Sequence, residues 1–385
     1  MTRTDLIELA RQIGTEFAAP HADDVDTHAR FPHEAMDALK AAKLLSAYVP
    51  VELGGAGCSM RDLAAISEAL GEHCSATGMV FAMHQIQVGS IVRHALDAEC
   101  FRGYLRELAE KQLLIASVTS EVGVGGNMRS SVCAVERNAT SYRLTKDATT
   151  ISYGEYADDL LITARRDASA PASDQVLVLA RRANLTLERT GTWDTVGMRG
   201  TCSNGYTVHA TGCAAQVMAT EFAAIASQSM VPFSHVLWSG LWLGIATGAI
   251  NRARAFVRAE ARKTPGSVPP TALRLAEAMN ALQTMRTSIS EVARDAEERM
   301  RDGAESMNTV GFALKMNNLK IASSQQVFDI VYQAMQICGI AAYKNNTPFS
   351  LGRPLRDALS ATLMVGNDRM YATNAQLALV LKETA

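Results

Sequence analysis

The sequence predicts an α+β fold, mainly α, in three parts: an N-terminal helical domain over 1–112, a middle β-barrel or sandwich domain over 113–220, and a C-terminal four-helix bundle over 221–385. Three observations lead there. Apolar residues recur every three or four positions through the first and last parts, the period of a helix with one buried face. Between them, short stretches rich in Val, Thr, Ile and Tyr alternate with Gly, Asn and Asp, which is the texture of strands and turns. The 385 residues are 48% apolar and 20% charged, enough to bury the cores of two or three packed subdomains.

In order, Asp5 to Ala18 and Pro32 to Lys43 carry the helical period, with Pro20 as the breaker after the first. Val49-Pro-Val-Glu-Leu-Gly-Gly-Ala-Gly57 is a Pro/Gly-rich loop, and helices resume at Met60–Glu72, Ser75–Leu96 and Glu99–Lys111. Strands are expected at Leu114–Ser120, Ser131–Val135, Ser141–Lys146, Asp159–Ala164, Gln175–Ala180, Thr186–Thr190 and Gly205–Val208. Helical runs over 233–262, 269–302, 307–340 and 355–383 complete the chain.

Composition removes several classes of function. A net charge of −2 gives no electrostatic basis for binding nucleic acid or an anionic membrane. The seven Cys are scattered, with no CxxC pair and no metal-like spacing, so they read as reduced thiols of a cytoplasmic protein. Met1-Thr-Arg-Thr-Asp-Leu6 has no apolar signal core. Ala223 to Ile250 lacks charged residues and is long enough to span a bilayer. It also holds Ser227, Gln228, Ser229, Pro232, Ser234 and His235, so a loop followed by a buried helix from about Phe233 to Arg262 is the better reading.

Six motifs carry chemistry only weakly when each stands alone. Val118-Thr-Ser-Glu-Val-Gly-Val-Gly-Gly-Asn127 runs from a strand into a loop whose backbone N–H groups can cradle a phosphate or a heterocycle edge. It is not a P-loop, because no Gly-Lys-Ser/Thr follows, and no βαβ context surrounds it. Thr150-Ile-Ser-Tyr-Gly154 reads as a strand and turn presenting a hydroxyl, and Gly197-Met-Arg-Gly-Thr-Cys-Ser203 is a further loop. Arg262-Lys-Thr-Pro-Gly266 looks like an ordinary helix end, and Gln336-Ile-Cys-Gly339 and Arg353-Pro-Leu-Arg-Asp-Ala358 complete the set.

Their order and spacing make the chain resemble the acyl-CoA dehydrogenase family of flavoproteins, from about residue 5 to 383. Ser120-Glu-Val-Gly-Val-Gly-Gly126 resembles that family's Thr-Glu-Pro-x-x-Gly-Ser flavin loop, and Thr150-Ile-Ser-Tyr-Gly154 its Trp-Ile-Thr-Asn-Gly strand. The resemblance implies FAD held between the β domain and the C-terminal helices, and oxidation of an acyl thioester, on CoA or a carrier protein, to its 2-enoyl form. It further implies that Ser120, Val122, Gly123, Gly125 and Gly126 contact the flavin, with Ile151 and Ser152 beside N5. Arg262 and Thr264 would reach the pyrophosphate of a neighbouring subunit, and Gln336, Ile337 and Gly339 its adenosine part, so a homodimer or homotetramer follows. An electron-acceptor protein or a flavin reductase is the implied redox partner.

The departures from the family matter more than the matches. Its commonest base, a Glu, falls at Val365 here, and the alternative Glu position falls near Ser234. The Trp flanking the flavin is replaced by Thr150, and a Ser that contacts pyrophosphate or substrate by Gly126. Substitutes for the base are His84, His235 and Asp368, with His84, Ser234 and Val365 expected to line the substrate pocket. Each has a plainer reading: His84 as a hydrogen-bonded core residue, His235 as a helix-start residue near the surface, Asp368 as a partner of Arg369 or of solvent. Dehydrogenation with a relocated base is therefore the first reading of function. A flavin monooxygenase on the same fold is the alternative, and a catalytically silent binding protein the third.

Overall fold

The computed structural model describes residues 3–263 and 265–381. The N-terminal part holds α1 (Arg3–Ile13), α2 (Ala22–Thr27), α3 (His33–Ala41), α4 (Met60–Gly71), α5 (Ser75–His94) and α6 (Glu99–Lys111). Ser59 and Asp62 form a reciprocal capping box that starts α4 where the sequence places it. Helix α5 is buried along almost its whole length and ends at His94, two residues before the expected Leu96.

The middle part is a sandwich of two small sheets. β1 (Ile115–Val118), β4 (Asp159–Arg165) and β5 (Gln175–Arg181) form one, in the order β1-β4-β5. β2 (Glu136–Arg137), β3 (Ser141–Ala148), β6 (Leu185–Gly191) and β7 (Gly205–Cys213) form the other, in the order β2-β3-β7-β6. β3 alternates exposed and buried residues, so one of its faces lies on the three-stranded sheet, whose strands β4 and β5 are buried almost throughout.

Two expected strands are loops. Across Ser131–Val135 only a single bridge forms, at Ala134, because the Glu121 carboxylate takes the N–H groups of Val132 (3.0 Å) and Cys133 that a strand partner would need. Thr150–Tyr153 is likewise no strand: Ile151 N donates to Asn204 O (2.8 Å) and Tyr153 N to Thr201 O (2.7 Å), which folds this segment onto the loop before β7.

The C-terminal part holds α7 (Phe222–Ile225), α8 (Val231–Lys263), α9 (Thr271–Asp302), α10 (Ala304–Met307), α11 (Val310–Cys338), α12 (Ile340–Tyr343), α13 (Gly352–Leu363) and α14 (Asn367–Val380). The loop expected over 223–232 is helical. A wide turn over Ala226–Met230 joins α7 to α8, and the hydroxyl of Ser229 back-bonds to Ile225 O (2.9 Å), which hides its polarity. The resulting run, Phe222–Lys263, is long and apolar enough to cross a membrane by length and composition, but 94% of its most apolar window is buried inside the fold. Gly240, Gly244 and Gly248 make α8 a core helix: a Cβ on the first would lie 2.6 Å from Ala64 O and on the last 2.5 Å from Glu72 O, so only glycine lets α4 lie this close.

The long helix expected over 355–383 is broken. Met364–Gly366 form an elbow between α13 and α14, with Val365 in the left-handed region at φ 48°. Polar ties across the parts position this elbow. Asp357 accepts from Met198 N (2.7 Å), and the Arg356 guanidinium donates to Asp26 (3.1 Å) and to Val196 O (2.9 Å).

Candidate functional site

The loops at one end of the sandwich face the elbow, and that junction gathers most of the residues singled out from the sequence. Ser120 joins two of the loops: its hydroxyl donates to Thr150 O (2.6 Å) and accepts from Thr150 N (3.1 Å). Beside it the buried Glu121 clamps the return segment through Ser131 Oγ (2.7 Å) and Val132 N (3.0 Å), with the Lys146 ammonium at 3.5 Å. Lys146 is itself held by Thr163 O (2.7 Å) and Thr163 Oγ1 (2.8 Å). Val122 N is tied to Asp147 O (2.9 Å), and beyond that tie the loop bulges outward, with the Val122 side chain exposed and Gly123, Gly125 and Gly126 at φ 91°, 57° and 74°. Nothing lies within 4 Å of a Cβ built on Gly125, so this face of the loop is open to a ligand. Glu121 and Lys146 were not singled out from the sequence, although a lysine on the inward register of β3 was a usable signal.

Arg369 closes the junction and was also missed. Its guanidinium donates to Gly125 O (2.6 Å), and a Cβ on Gly126 would stand 3.1 Å from its Nη1. The residue that replaces the family's serine thus makes room for an arginine from α14.

Ser152 lies at the head of a hydroxyl chain. Its Oγ is 2.8 Å from Ser203 Oγ, which is 2.8 Å from Thr201 Oγ1, and Thr201 Oγ1 donates to Met198 O at 2.9 Å. A carbonyl cannot donate, so the Thr201 hydrogen is committed to it. Ser203 must then donate to Thr201, and Ser152 to Ser203. The same carbonyl also accepts from Trp193 Nε1 and Thr201 N, both at 3.1 Å, and the hydroxyl contact is the shortest of the three. Ser152 therefore offers lone pairs, and no hydrogen, to whatever occupies the junction. Ile151, its neighbour, is fully buried, and its N–H is taken by Asn204 O (2.8 Å).

The candidate bases fare differently. His84 is fully buried: Nε2–H donates to Leu45 O (2.7 Å) and Nδ1 accepts from Ile115 N (3.1 Å), which fixes one neutral tautomer and uses both nitrogens. Burial pulls its pKa down to about 4. It is a core residue and neither a base nor a pocket wall. His235 is not near the surface, as its helix-start reading supposed, but buried on α8, with Nδ1–H donating to Met316 O (3.1 Å) and the pKa lowered by burial to about 4. Ser234 is buried too and back-bonds to Val231 O (2.9 Å). Asp368 is exposed in the first turn of α14, and Arg369 is bonded to the flavin-type loop instead of to it. Val365 stands exposed at the elbow.

The remaining expected cofactor residues lie elsewhere. Helices α8 and α11 run in the same direction, since His235 meets Met316 near their starts, and Phe256, in the last third of α8, meets Phe349 (5.4 Å) in the segment that follows α11 and α12. Arg262 and Gln336–Gly339 therefore share the far end of the bundle, with Arg262, Gln336 and Gly339 exposed and Ile337 buried. At 1.5 Å per residue Gln336 is about 24 Å beyond Lys320, the α11 residue level with the elbow. One chain does not bring these residues to Ser120 and Ser152. Thr264 lies outside the described residues.

An open glycine loop, two fixed hydroxyl oxygens and a guanidinium fit a planar, polar-edged heterocycle such as a flavin. Comparison with known proteins points the same way. Residues 2–112 match the model of the acyl-CoA dehydrogenase N-terminal domain, and residues 213–377 that of the C-terminal domain. Over 372 residues the chain is 22% identical to a cyclohex-1-ene-1-carbonyl-CoA dehydrogenase of Syntrophus aciditrophicus, covering 95% of this chain and 86% of that protein. It is 23% identical over 353 residues to a probable FMNH2-dependent monooxygenase of Pseudomonas putida, covering 87% and 85%. The FMN-bound structure of TdsC, a dibenzothiophene monooxygenase of Paenibacillus sp. A11-2, superposes with a TM-score of 0.84 at 18% identity, over 98% of each chain.

Proposed function

The chain belongs to the acyl-CoA dehydrogenase family of flavin-dependent oxidoreductases, and from that premise we propose that it is a monooxygenase supplied with reduced flavin by a separate reductase. It would transfer one oxygen atom of O2 to a small-molecule substrate while the other leaves as water. The observation that carries this reading is the missing base. Dehydrogenation of an acyl thioester needs a group that takes the α-proton, and its loss lowers the rate by roughly 10² to 10⁴. Val365 and Ser234 occupy the two positions where the family resemblance places a carboxylate, His84 has both nitrogens bonded, His235 is buried and neutral, and Asp368 is exposed in the first turn of α14.

Bound reduced flavin would supply the two electrons that split O2, a reaction that asks for no carboxylate at Val365. The chain's own residues bind and orient. The loop offers the backbone N–H groups of Gly123 to Gly126, that of Val122 being taken by Asp147 O (2.9 Å), and Arg369 offers its remaining guanidinium hydrogens. Ser152, drained of its hydrogen by Ser203 and Thr201, is an acceptor toward the junction. That polarity supports the reduced state, whose ring carries an N–H at N5 that the oxidised ring lacks. FAD and FMN share this ring, and FAD, the form the family resemblance implies, is retained in the proposal. A cytoplasmic location belongs to it too, supported by seven free thiols. So does a homodimer or homotetramer, supported by exposed Tyr332, Tyr343, Leu363 and Leu379 on the last helices.

Dehydrogenation with a relocated base stands as the second reading, favoured by the match to a cyclohexene-carbonyl-CoA dehydrogenase along 95% of the chain. One experiment separates the two. The protein is incubated with a flavin reductase, NADH, FMN or FAD and 18O2 against a panel of aromatic, sulfur-containing and acyl-thioester compounds. Incorporation of 18O into a product supports the monooxygenase. Anaerobic bleaching of the flavin by an acyl thioester, with an enoyl product and no 18O incorporation, overturns it.

A further inference from the structure

Inside the C-terminal bundle one ammonium has no counter-ion. Lys320 of α11 is fully buried, and none of the ion pairs among the described residues includes it. Its Nζ donates to Asn367 Oδ1 at 2.7 Å and lies 5.9 Å from the centre of the Trp242 ring. The titratable group facing it from α8 is His235, held neutral by burial, and α14 presents the uncharged Asn367. Burial also draws the Lys320 pKa down to about 8.

This placement is unfavourable for stability on two counts. A charge in a dry interior is only partly compensated by one neutral hydrogen bond and the face of the Trp242 ring, neither of which is a counter-ion. Asn367 is moreover the first residue of α14, so the cation sits at the positive end of that helix. A methionine of similar length would fill the space without either penalty.

What Lys320 holds explains its presence. Asn367 follows Gly366 directly, and its Nδ2 donates to Ser324 Oγ (3.0 Å), so α11 grips the start of α14 at two points. Val365 is a β-branched residue in the left-handed region, a conformation that persists only where neighbours impose it. Two residues beyond Asn367, Arg369 reaches the glycine loop at Gly125 O. The elbow is thus fixed from inside by Lys320 and ends outside on the loop.

We propose that Lys320 is a positioning residue for the flavin site: through Asn367 it fixes the strained elbow at Val365 and so keeps Arg369 on the glycine loop. The proposal rests on the flavin reading of that loop but not on the choice between oxygenation and dehydrogenation.

The test is direct binding of FMN and FAD to the full-length apoprotein, followed by flavin fluorescence, with the melting temperature measured in parallel. Lys320→Met, Asn367→Ala and the double variant are compared with the wild type. Loss of one charge-assisted bond should weaken flavin binding by about 10- to 100-fold in each single variant. The double variant should be no worse than either single one, and Lys320→Met should melt no lower than the wild type. Lys320→Leu, which removes the donor as well as the charge, serves the same comparison should the Met variant not fold. Flavin affinity within twofold of wild type in Lys320→Met or Lys320→Leu overturns the proposal. So does a loss of affinity that tracks a large fall in melting temperature, which would mark a structural role. Wild-type protein that binds neither flavin would remove the flavin reading itself, a result distinguishable from both.

Discussion

Freeing the Ser152 hydrogen should change which redox state of the flavin the protein prefers. The chain Ser152–Ser203–Thr201–Met198 is polarised because its last acceptor is a carbonyl. Ser203→Ala removes the acceptor of the Ser152 hydrogen, which can then rotate into the junction and meet the bare N5 of an oxidised ring. Thr201→Val keeps the buried shape at Thr201 and lets Ser203 turn its own hydrogen toward Ser152. A neutral hydrogen bond of this kind contributes about 0.5–1.5 kcal/mol, so the ratio of dissociation constants, oxidised over reduced, should fall by roughly 3- to 10-fold in Ser203→Ala. The assay is an anaerobic titration of apoprotein with oxidised and with dithionite-reduced FMN. Wild type should bind the reduced form more tightly. An unchanged ratio in Ser203→Ala, with the variant still folded, would refute the polarity argument.

Acid should destabilise the fold through its buried histidines. His84 and His235 have folded pKa values of about 4 against 6.5 when unfolded, so between those values the unfolded chain binds more protons and stability falls as pH falls. From pH 7 to pH 5 each should remove about 2 kcal/mol. Asp357, whose carboxyl is pushed up by burial, acts in the opposite sense, so the check is a difference: urea unfolding of His235→Asn should lose about 2 kcal/mol less over that interval than wild type. At the elbow, Val365→Asn should raise the melting temperature by ~1–2 °C, since Asn tolerates φ 48° and relief of a β-branched side chain there is worth about 1 kcal/mol. A melting point at or below wild type would show that the elbow is not strained.

Locally encoded features were legible in the sequence, and those that depend on distant partners were not. Ser59 and Asp62 announce a helix start within four residues, and the inward–outward alternation of β3 is carried by its own side chains. The glycine loop was visible for the same reason, because left-handed backbone at Gly123, Gly125 and Gly126 is a property of those residues themselves. The strand expected at Ser131–Val135 failed because its N–H groups are taken by Glu121, ten or more residues earlier. The long final helix failed because Lys320 and Gly125, about 47 and 240 residues away from their partners, hold its break in place. Thr201 and Ser203 had no local signal pointing to Ser152, some 50 residues before them.

One local signal does mark distant partners: a lysine where the pattern calls for an apolar residue. It occurs twice. In β3, Lys146 follows Tyr142 and Leu144 on the inward face, and in α11, Lys320 lies one turn from Met316 on the buried stripe. The two differ in their compensation. Lys146 has Glu121 at 3.5 Å and two oxygens of Thr163, so its charge is balanced and its effect is to lock the base of the flavin-type loop. Lys320 has a single amide oxygen and the face of the Trp242 ring, and no carboxylate. A balanced buried charge can be understood from the stability of the loop it anchors, whereas an unbalanced one lowers the stability of the fold that keeps it. The more poorly compensated lysine is therefore the one whose retention has to be explained by the site, and it is the one that grips the elbow.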